Sequence, residues 1–183
     1  MIFLFESGCV MISHQKESEE YRALNVSGEN ECIDLTGVYQ NKKVFIEDKD
    51  RFFKNDYALS LAYFLISETN IDQEEDQVII DFINQRTLEV KVMRSAEVIA
   101  TEEYYKNKGD FKCRNGHIIF RSRRKMGPGE NGMNSFSSEH IELSKSVNLD
   151  LIVRNYSSGV ATIFIVPIAY GNGSDFYVFQ RIK

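Results

Sequence analysis

Histidine and cysteine are the residues of this chain whose side chains could do catalytic or metal-binding chemistry. There are three of each: His14, His117, His140, Cys9, Cys32 and Cys113. The histidines do not show the HExxH or paired HxH spacing of metal sites, and the cysteines form no CxxC pair. No G-x-S-x-G elbow is present for a nucleophilic serine. The sequence therefore predicts no metal, no cofactor and no catalytic residue.

Cys113 and His117 lie close enough in sequence to be considered as a nucleophile and its base. The Asn115–Gly116 pair between them is typical of a two-residue type I′ hairpin turn. That turn places Cys113 opposite Ile118, so Phe111, Cys113, Ile118 and Phe120 share the apolar face. His117 then points to the other face, because successive side chains of a strand alternate. The pattern favours a buried or bridged cysteine over a catalytic one.

A basic cluster precedes the glycine-rich stretch 126–136, and it consists of Arg121, Arg123, Arg124 and Lys125. Such a combination invites a phosphate-binding interpretation. It lacks the P-loop order, in which Gly-Lys-Ser/Thr opens a helix. We therefore predict a mobile surface loop here. If a segment of the chain binds an anionic partner, such as a lipid head group or an envelope polysaccharide, this loop is the candidate.

The charge balance argues against a nucleic-acid partner. The chain has 22 basic and 27 acidic residues, which give a net charge of −5. Proteins that bind nucleic-acid backbones usually carry a basic excess. The acidic segment 67–77 lacks the Asp-x-Asp-x-Asp-Gly spacing of a calcium loop, so it is predicted to be a solvated loop.

The N-terminus carries a candidate address signal. An apolar stub, Met1–Phe5, is followed by Glu6-Ser7-Gly8-Cys9. Two small residues and a cysteine after an apolar run resemble the cleavage site of a bacterial lipoprotein signal. The resemblance implies that Cys9 is lipidated and holds the protein at the periplasmic or outer membrane. The alternative is that Met1–Phe5 is a first strand or a chain end, and that the protein is cytoplasmic.

Export would also favour pairing of the two remaining cysteines. A Cys32–Cys113 bridge would close a loop of about 80 residues, for which the chain-entropy estimate is at most about 4 kcal/mol. Two separate buried thiols are the alternative.

The closing part of the chain, 138–182, predicts an antiparallel meander. Its apolar runs are rich in Val, Ile, Phe and Tyr, and they alternate with Gly, Asn and Ser. The predicted strands are 140–143 continuing through 149–154, then 160–169, then 175–182, with turns at 146–148, 155–159 and 171–174. Glu139, Glu142 and Lys145 are expected to be exposed, and Lys145 is expected to pair with Asp150 across the first turn. Pro167 must lie at a strand end or an irregularity, because it cannot donate a ladder hydrogen bond.

Period-two patterns place further strands before the meander. They predict a strand at 33–41 returning through 43–47, a hairpin of 78–82 with 87–93, and a strand at 96–105 that turns Val98, Ala100 and Tyr104 inward. The segment 57–66 fits either a strand, by its alternation, or a helix, by its Ala and Leu content. We predict a short helix over 58–66 that covers one end of the sheet.

Together these patterns predict one mainly β, antiparallel domain at 32–183, preceded by a signal remnant and polar tether at 1–31. The sheet is expected to curl into a barrel-like or lipocalin-like form with one or two short helices. The Asp34-Leu35-Thr36-Gly37-Val38-Tyr39 start and the Phe111-x-Cys113-x-Asn115-Gly116 hairpin, together with Cys9, resemble small Gram-negative envelope lipoproteins with no assigned activity.

The predicted function is that of a non-enzymatic envelope lipoprotein-like domain, which either binds an unknown protein partner or has a structural role. A lipocalin-like carrier of a small apolar ligand is the first alternative. A hydrolase is the second alternative, and His117, His140 and the acidic residues are the side chains that could form its active site. The sequence specifies no oligomeric state.

Overall fold

The computed structural model describes residues 31–47, 60–67, 76–121, 123–128, 133–163 and 166–182. The predictions for Cys9, His14, the tether and most of the acidic segment 67–77 lie outside these residues.

The described residues form ten strands, one α-helix and one 3-10 helix. They are β1 (Gly37–Glu47), α1 (Leu61–Leu65), β2 (Gln77–Asn84), β3 (Thr87–Arg94), β4 (Glu97–Tyr105), the 3-10 helix (Lys106–Lys108), β5 (Phe111–Arg114), β6 (His117–Phe120), β7 (Arg123–Pro128), β8 (Met133–Lys145), β9 (Leu151–Ile163) and β10 (Val166–Ile182).

All strand pairs are antiparallel. Nine strands follow one path in the order β4-β3-β2-β1-β10-β9-β8-β6-β5, and β7 pairs with β8 off this path. The prediction of a mainly β, antiparallel domain is therefore confirmed. Within the described residues no ladder joins β4 to β5, so the sheet is not closed.

The β5–β6 hairpin has the register that its turn chemistry predicts. Arg114 pairs with His117, Cys113 with Ile118, and Phe111 with Phe120. Both turn residues have positive φ, as a type I′ turn requires: 51° at Asn115 and 76° at Gly116.

The meander differs from its prediction in the position of its turns. The predicted strand 160–169 is divided between the end of β9 and the start of β10, where Ile163 pairs with Val166. Residues 155–159 and 171–174 lie inside β9 and β10, where Gly159 pairs with Gly171 and Ser157 with Gly173. Turn-forming residue types therefore lie opposite one another in a ladder whose hydrogen bonds come from the backbone. The turn at 146–148 is confirmed, and Pro167 is the second residue of β10, next to a register shift.

Two further segments differ from their predictions. Residues 43–47 continue β1 instead of returning beside it, and two register shifts absorb the irregular stretch around Lys43. Arg123, Arg124 and Lys125 lie in β7, where they pair with Glu139, Ser138 and Ser137 of β8. The predicted mobile loop is therefore wrong for these three residues. It is also wrong for 126–128 and 133–136, which lie in β7 and β8, where 126–128 pair with 134–136.

The predicted orientation of β4 is correct for two of its three inward residues. Ala100 and Tyr104 are buried, but Val98 is 53% exposed. Val92 pairs with Ala100 while Met93 pairs with Val98, so one extra residue, Ile99, is inserted in β4. The insertion turns Val98 to the opposite face, as a β-bulge does.

The main core lies on one face of the sheet and receives side chains from almost every strand. A small second cluster, formed by Ile152, Phe176 and Val178, lies on the other face. Aromatic contacts join strands that are distant in the sheet order. The ring centroids of Tyr104 in β4 and Phe120 in β6 are 4.8 Å apart, and those of Phe82 in β2 and Phe111 in β5 are 6.2 Å apart.

Helix α1 covers part of this core, within the predicted span 58–66. Ser60 caps it by accepting a 3.1 Å hydrogen bond from the Tyr63 amide. A second bond runs from the Ala62 amide to the buried Asn41 side chain of β1, at 2.8 Å. Phe64 packs on Tyr177, with ring centroids 5.0 Å apart.

Replacing Phe64 with Ala should therefore lower the free energy of unfolding by about 3–5 kcal/mol, because it leaves a cavity in the core. The matched control is its neighbour Tyr63, which is 53% exposed, and Tyr63→Ala should change stability by about 0.5 kcal/mol or less. Urea unfolding followed by circular dichroism measures both. Equal losses for the two variants would contradict the placement of the helix.

Candidate functional site

The structure brings Cys32 and Cys113 together at disulfide distance. Their Cα atoms are 5.0 Å apart although 81 positions separate them in sequence. Cys113 is 5% exposed and belongs to the core face of β5. Its side chain therefore lies on the opposite sheet face from His117, as the hairpin register predicts, and the two do not form a nucleophile–base pair.

Strands β6, β8 and β9 lie side by side, and they place His117, Glu142 and Tyr156 on the other face of the sheet. Ile119 of β6 pairs with Glu142, and Glu142 pairs with Arg154 of β9. Alternation along each strand then puts these side chains on the same side. We call His117, His140, Glu142, Arg154 and Tyr156 the outer-face cluster.

The shortest polar contact in this cluster is between His117 and Glu142. His117 Nδ1 lies 2.7 Å from Glu142 Oε1, and the two side chains are 18% and 16% exposed. Nδ1 is buried and has no well-aligned hydrogen-bond partner within the described residues. The 2.7 Å separation nevertheless brings a proton on Nδ1 within reach of the carboxylate.

His140 and Tyr156 form the second half of the cluster. They are cross-strand partners, and their rings stack with centroids 4.6 Å apart and an interplanar angle of 12°. The Tyr156 hydroxyl group interacts with both Glu142 and Arg154. The Arg154 guanidinium lies 5.8 Å from the centroid of the Phe176 ring in β10.

The electrostatics keep Glu142 ionised. Burial would raise the pKa of Glu142, but hydrogen bonding to His117 and Tyr156 and the charges of the two histidines outweigh it, so the pKa is lowered. Burial and the neighbouring Glu142 charge raise the pKa of Tyr156, against the opposing effect of Arg154. The cluster therefore holds a carboxylate beside a neutral phenol.

A carboxylate that orients an imidazole is an arrangement found in general-base catalysis. Sequence reasoning named His117 and His140 as material for such a site, and the structure places both in one cluster. The sequence analysis did not identify Glu142, Arg154 or Tyr156 as the partners of these histidines. The period-two spacings His140-x-Glu142 and Arg154-x-Tyr156 were the available signal, but only the strand order shows that these two pairs face each other.

Among the described residues, no group of three His, Cys, Asp or Glu side chains could hold a metal.

A second polar cluster lies on the core face at one end of the sheet. Lys145 is 8% exposed, which corrects the prediction that it is exposed. Asp150 accepts a 3.0 Å hydrogen bond from the Arg181 amide. The predicted ion pair between Lys145 and Asp150 is not formed within the described residues. Burial lowers the pKa of Lys145, while the nearby Asp34 carboxylate opposes the shift.

Arg181 and Tyr39 tie the segment before β1 to this end of the sheet. Arg181 Nη2 donates to the Thr36 carbonyl at 3.0 Å. Its guanidinium lies against Gly37, where an added Cβ would come within 2.9 Å of Nε. The Tyr39 hydroxyl donates to the Leu35 carbonyl at 2.8 Å, and burial raises the pKa of Tyr39 to about 12.

An open depression of about 560 Å³ lies near the cysteine pair and outside the core. It is lined by Asn84, Gln85, Arg86, Thr87, Tyr105 and Asn107.

The basic cluster that was predicted to bind anions is divided by the structure. Arg121 is exposed after β6, and Arg123, Arg124 and Lys125 lie in β7. Anion binding by these residues stays a prediction.

Comparison of the chain with protein-family models, with curated proteins and with solved structures finds no match. In the part of the chain that the structure describes, no helix is long and apolar enough to cross a bilayer.

Replacing Glu142 with Gln tests the ionic part of the outer-face cluster. Because the folded protein lowers the pKa of Glu142 below its ordinary 4.5, the ionised group stabilises the fold above that pH. This contribution is lost as the pH falls through the lowered pKa. We expect Glu142→Gln to cost about 1–2 kcal/mol at neutral pH.

The difference between wild type and Glu142→Gln should shrink as the pH falls below 4.5. Urea unfolding at a series of pH values measures it, with Glu97→Gln on the exposed end of β4 as the control. A difference that stays constant with pH would show that the Glu142 charge does not contribute.

Proposed function

We propose that this chain is a non-enzymatic, exported β domain of the bacterial envelope lipoprotein kind, which binds a partner or has a structural role. The observation that carries the proposal is the Cys32–Cys113 pair at disulfide distance. Disulfides persist in oxidising compartments such as the periplasm and are rare in the cytosol. The pair supports export, and export is what the signal-like sequence before Cys9 also predicts.

The packed core that the described residues form supports a binding or structural role over a carrier role. Buried side chains from strands at both ends of the sheet order, β4 and β5, and from strands between them form one core cluster. This cluster includes Leu35, Tyr39 and Phe111. A lipocalin-like carrier would need an apolar cup of several hundred Å³ inside the sheet. The depression that the structure shows is lined largely by polar residues and lies outside that core.

We further propose that the sheet curls towards a barrel-like form. The contacts between Tyr104 and Phe120 and between Phe82 and Phe111 support this, because they connect strands several positions apart in the sheet order. The cysteine pair adds a link between the segment before β1 and β5.

A hydrolase is the second candidate, favoured by the 2.7 Å contact between His117 and Glu142. Cys113 points away from that pair, into the core, so it does not supply a nucleophile there. The half-buried outer-face cluster fits better as a polar network that fixes the register of β6, β8 and β9.

Intact-mass analysis tests the lipid anchor directly. Expression in a Gram-negative host with the native upstream DNA should yield a mature chain that begins at Cys9 and carries a diacyl or triacyl adduct in the membrane fraction. Cys9→Ser should lose the adduct and the membrane association. An unmodified wild-type chain that retains Met1 in the cytosol would contradict the proposal.

Reduction of the cysteine pair should destabilise the domain. Breaking a link between residues 81 positions apart is expected to lower the free energy of unfolding by up to about 4 kcal/mol. The measurement compares urea unfolding of the Cys9→Ser chain with and without a phosphine reductant. The Cys32→Ser/Cys113→Ser double variant is the control, and it should not respond to the reductant. A midpoint of the Cys9→Ser chain that is equally unresponsive would show that the pair is not oxidised.

A further inference from the structure

The turn between β8 and β9 is held rigidly by Ser146. The Ser146 amide donates to the Asp150 carbonyl at 2.9 Å, and the Leu149 amide donates to the Ser146 carbonyl at 3.0 Å. The Ser146 hydroxyl oxygen accepts from the Asn148 and Asp150 amides at 3.2 and 3.0 Å. Four hydrogen bonds therefore fix a five-residue turn.

This rigid turn presents two aliphatic side chains to solvent. Val147 is 52% exposed and Leu149 is 44% exposed. Leu149 has φ of 70°, in the left-handed region that Gly and Asn adopt readily and branched residues rarely do. An Asn at this position would be less strained than Leu, so the backbone conformation does not account for the aliphatic side chain. We call Val147 and Leu149 the apolar tip.

The apolar tip lies at the end of the sheet where the chain enters from its N-terminal side. Thr36 Oγ1 accepts from the Phe82 amide near the end of β2, at 3.1 Å. Arg181 connects the same Thr36, through its carbonyl, to Asp150 of the turn. The entering segment therefore lies beside the turn. Only 21 residues, 10–30, separate Cys9 from Glu31, the first described residue.

Basic side chains are also exposed at this end. Arg86 follows β2, Lys108 follows β4, and Arg114 ends β5 beside the Asn115–Gly116 turn. All three residues are exposed. The exposed acidic residues Glu31 and Asp34 lie at this end as well, so the charge there is mixed. It is the pair of aliphatic side chains that matches a lipid surface, where the acyl boundary lies just beneath the head groups.

We propose that the apolar tip inserts into the bilayer interface and orients the domain on the membrane that holds it. This inference rests on the proposed lipid anchor at Cys9. One Val and one Leu bury too little surface to hold a free protein on a membrane, so the tip acts only on a tethered chain, whose local concentration at the surface is high. A protein partner would need a larger contact than two side chains provide.

The chain contains no tryptophan, so a single introduced Trp reports its own surroundings. The probe variant is Val147→Trp. The matched control is Val98→Trp, because Val98 is 53% exposed against 52% for Val147. Val98 adjoins the Ser95–Ala96 turn, at the opposite end of β3 and β4 from Arg86.

The full chain carrying Cys9→Ser and an N-terminal hexahistidine is tethered to phosphatidylglycerol–phosphatidylcholine vesicles that contain a nickel-chelating lipid. The tryptophan of the Val147→Trp variant should shift its emission to shorter wavelength and be quenched by brominated acyl chains, while that of the Val98→Trp control should do neither. Water-like emission from both variants, or equal quenching, would overturn the proposal. Quenching of the probe variant that requires added envelope proteins would assign the tip to a protein partner and overturn it as well.

A second variant separates the tip from the stability of the turn. Leu149→Asn suits the left-handed conformation, so the melting temperature should stay equal or rise. Placed in the Val147→Trp background, it should weaken quenching by brominated lipid about tenfold, the effect of withdrawing one aliphatic side chain. A clear fall in melting temperature with unchanged quenching would show that Leu149 serves the fold alone. Because the tether is artificial, failure of Cys9 lipidation in the mass analysis leaves this result readable.

Discussion

The pairing of β10 with β1 is the constraint on which the rest of the structure depends. It places the last described strand beside the first described one, with Val38 opposite Ile182, and β9 completes the other side of β10. Four successive residues of β10, from Phe176 to Phe179, are buried, so both faces of this strand are covered. Such a long-range pairing is expected to form slowly, because the entropy lost in closing the long intervening loop must be overcome before the contacts form.

Both polar clusters take their geometry from the order of strands in the sheet. The outer-face cluster requires β6, β8 and β9 to be neighbours, because its closest contact, between His117 and Glu142, crosses from one strand to another. The cluster at the sheet end requires Arg181 of β10 to meet the segment before β1. In each case a charged group is held near the sheet by partners from other elements, which is how proteins keep half-buried charges satisfied.

The fold also accounts for the contrast between the two ends of the sheet. At the end where the chain enters, Arg181, Asp150 and Ser146 hold the backbone through hydrogen bonds, and this rigidity leaves Val147 and Leu149 projecting. At the other end, the bulge at Ile99 leaves Val98 exposed on the edge strand β4 without a comparable set of turn hydrogen bonds among the described residues. Val147 and Val98 are therefore exposed for different reasons: Val147 projects from a turn held by hydrogen bonds, and Val98 is turned outward by a bulge in an edge strand.

The sequence by itself determined the features that depend on neighbouring residues. Asn115–Gly116 sets a register by its own backbone preference, the alternation of 78–82 and 87–93 defines a hairpin, and Pro167 marks an irregularity because it lacks an amide proton. The tertiary structure decided the conformation and the contacts of segments whose sequence pattern was ambiguous. Residues 155–159 and 171–174 are strands because each supplies the other with backbone partners, and Glu142 meets His117 because β6 adds to the edge of β8. These outcomes depend on which strands become neighbours, and local residue preference does not encode that choice.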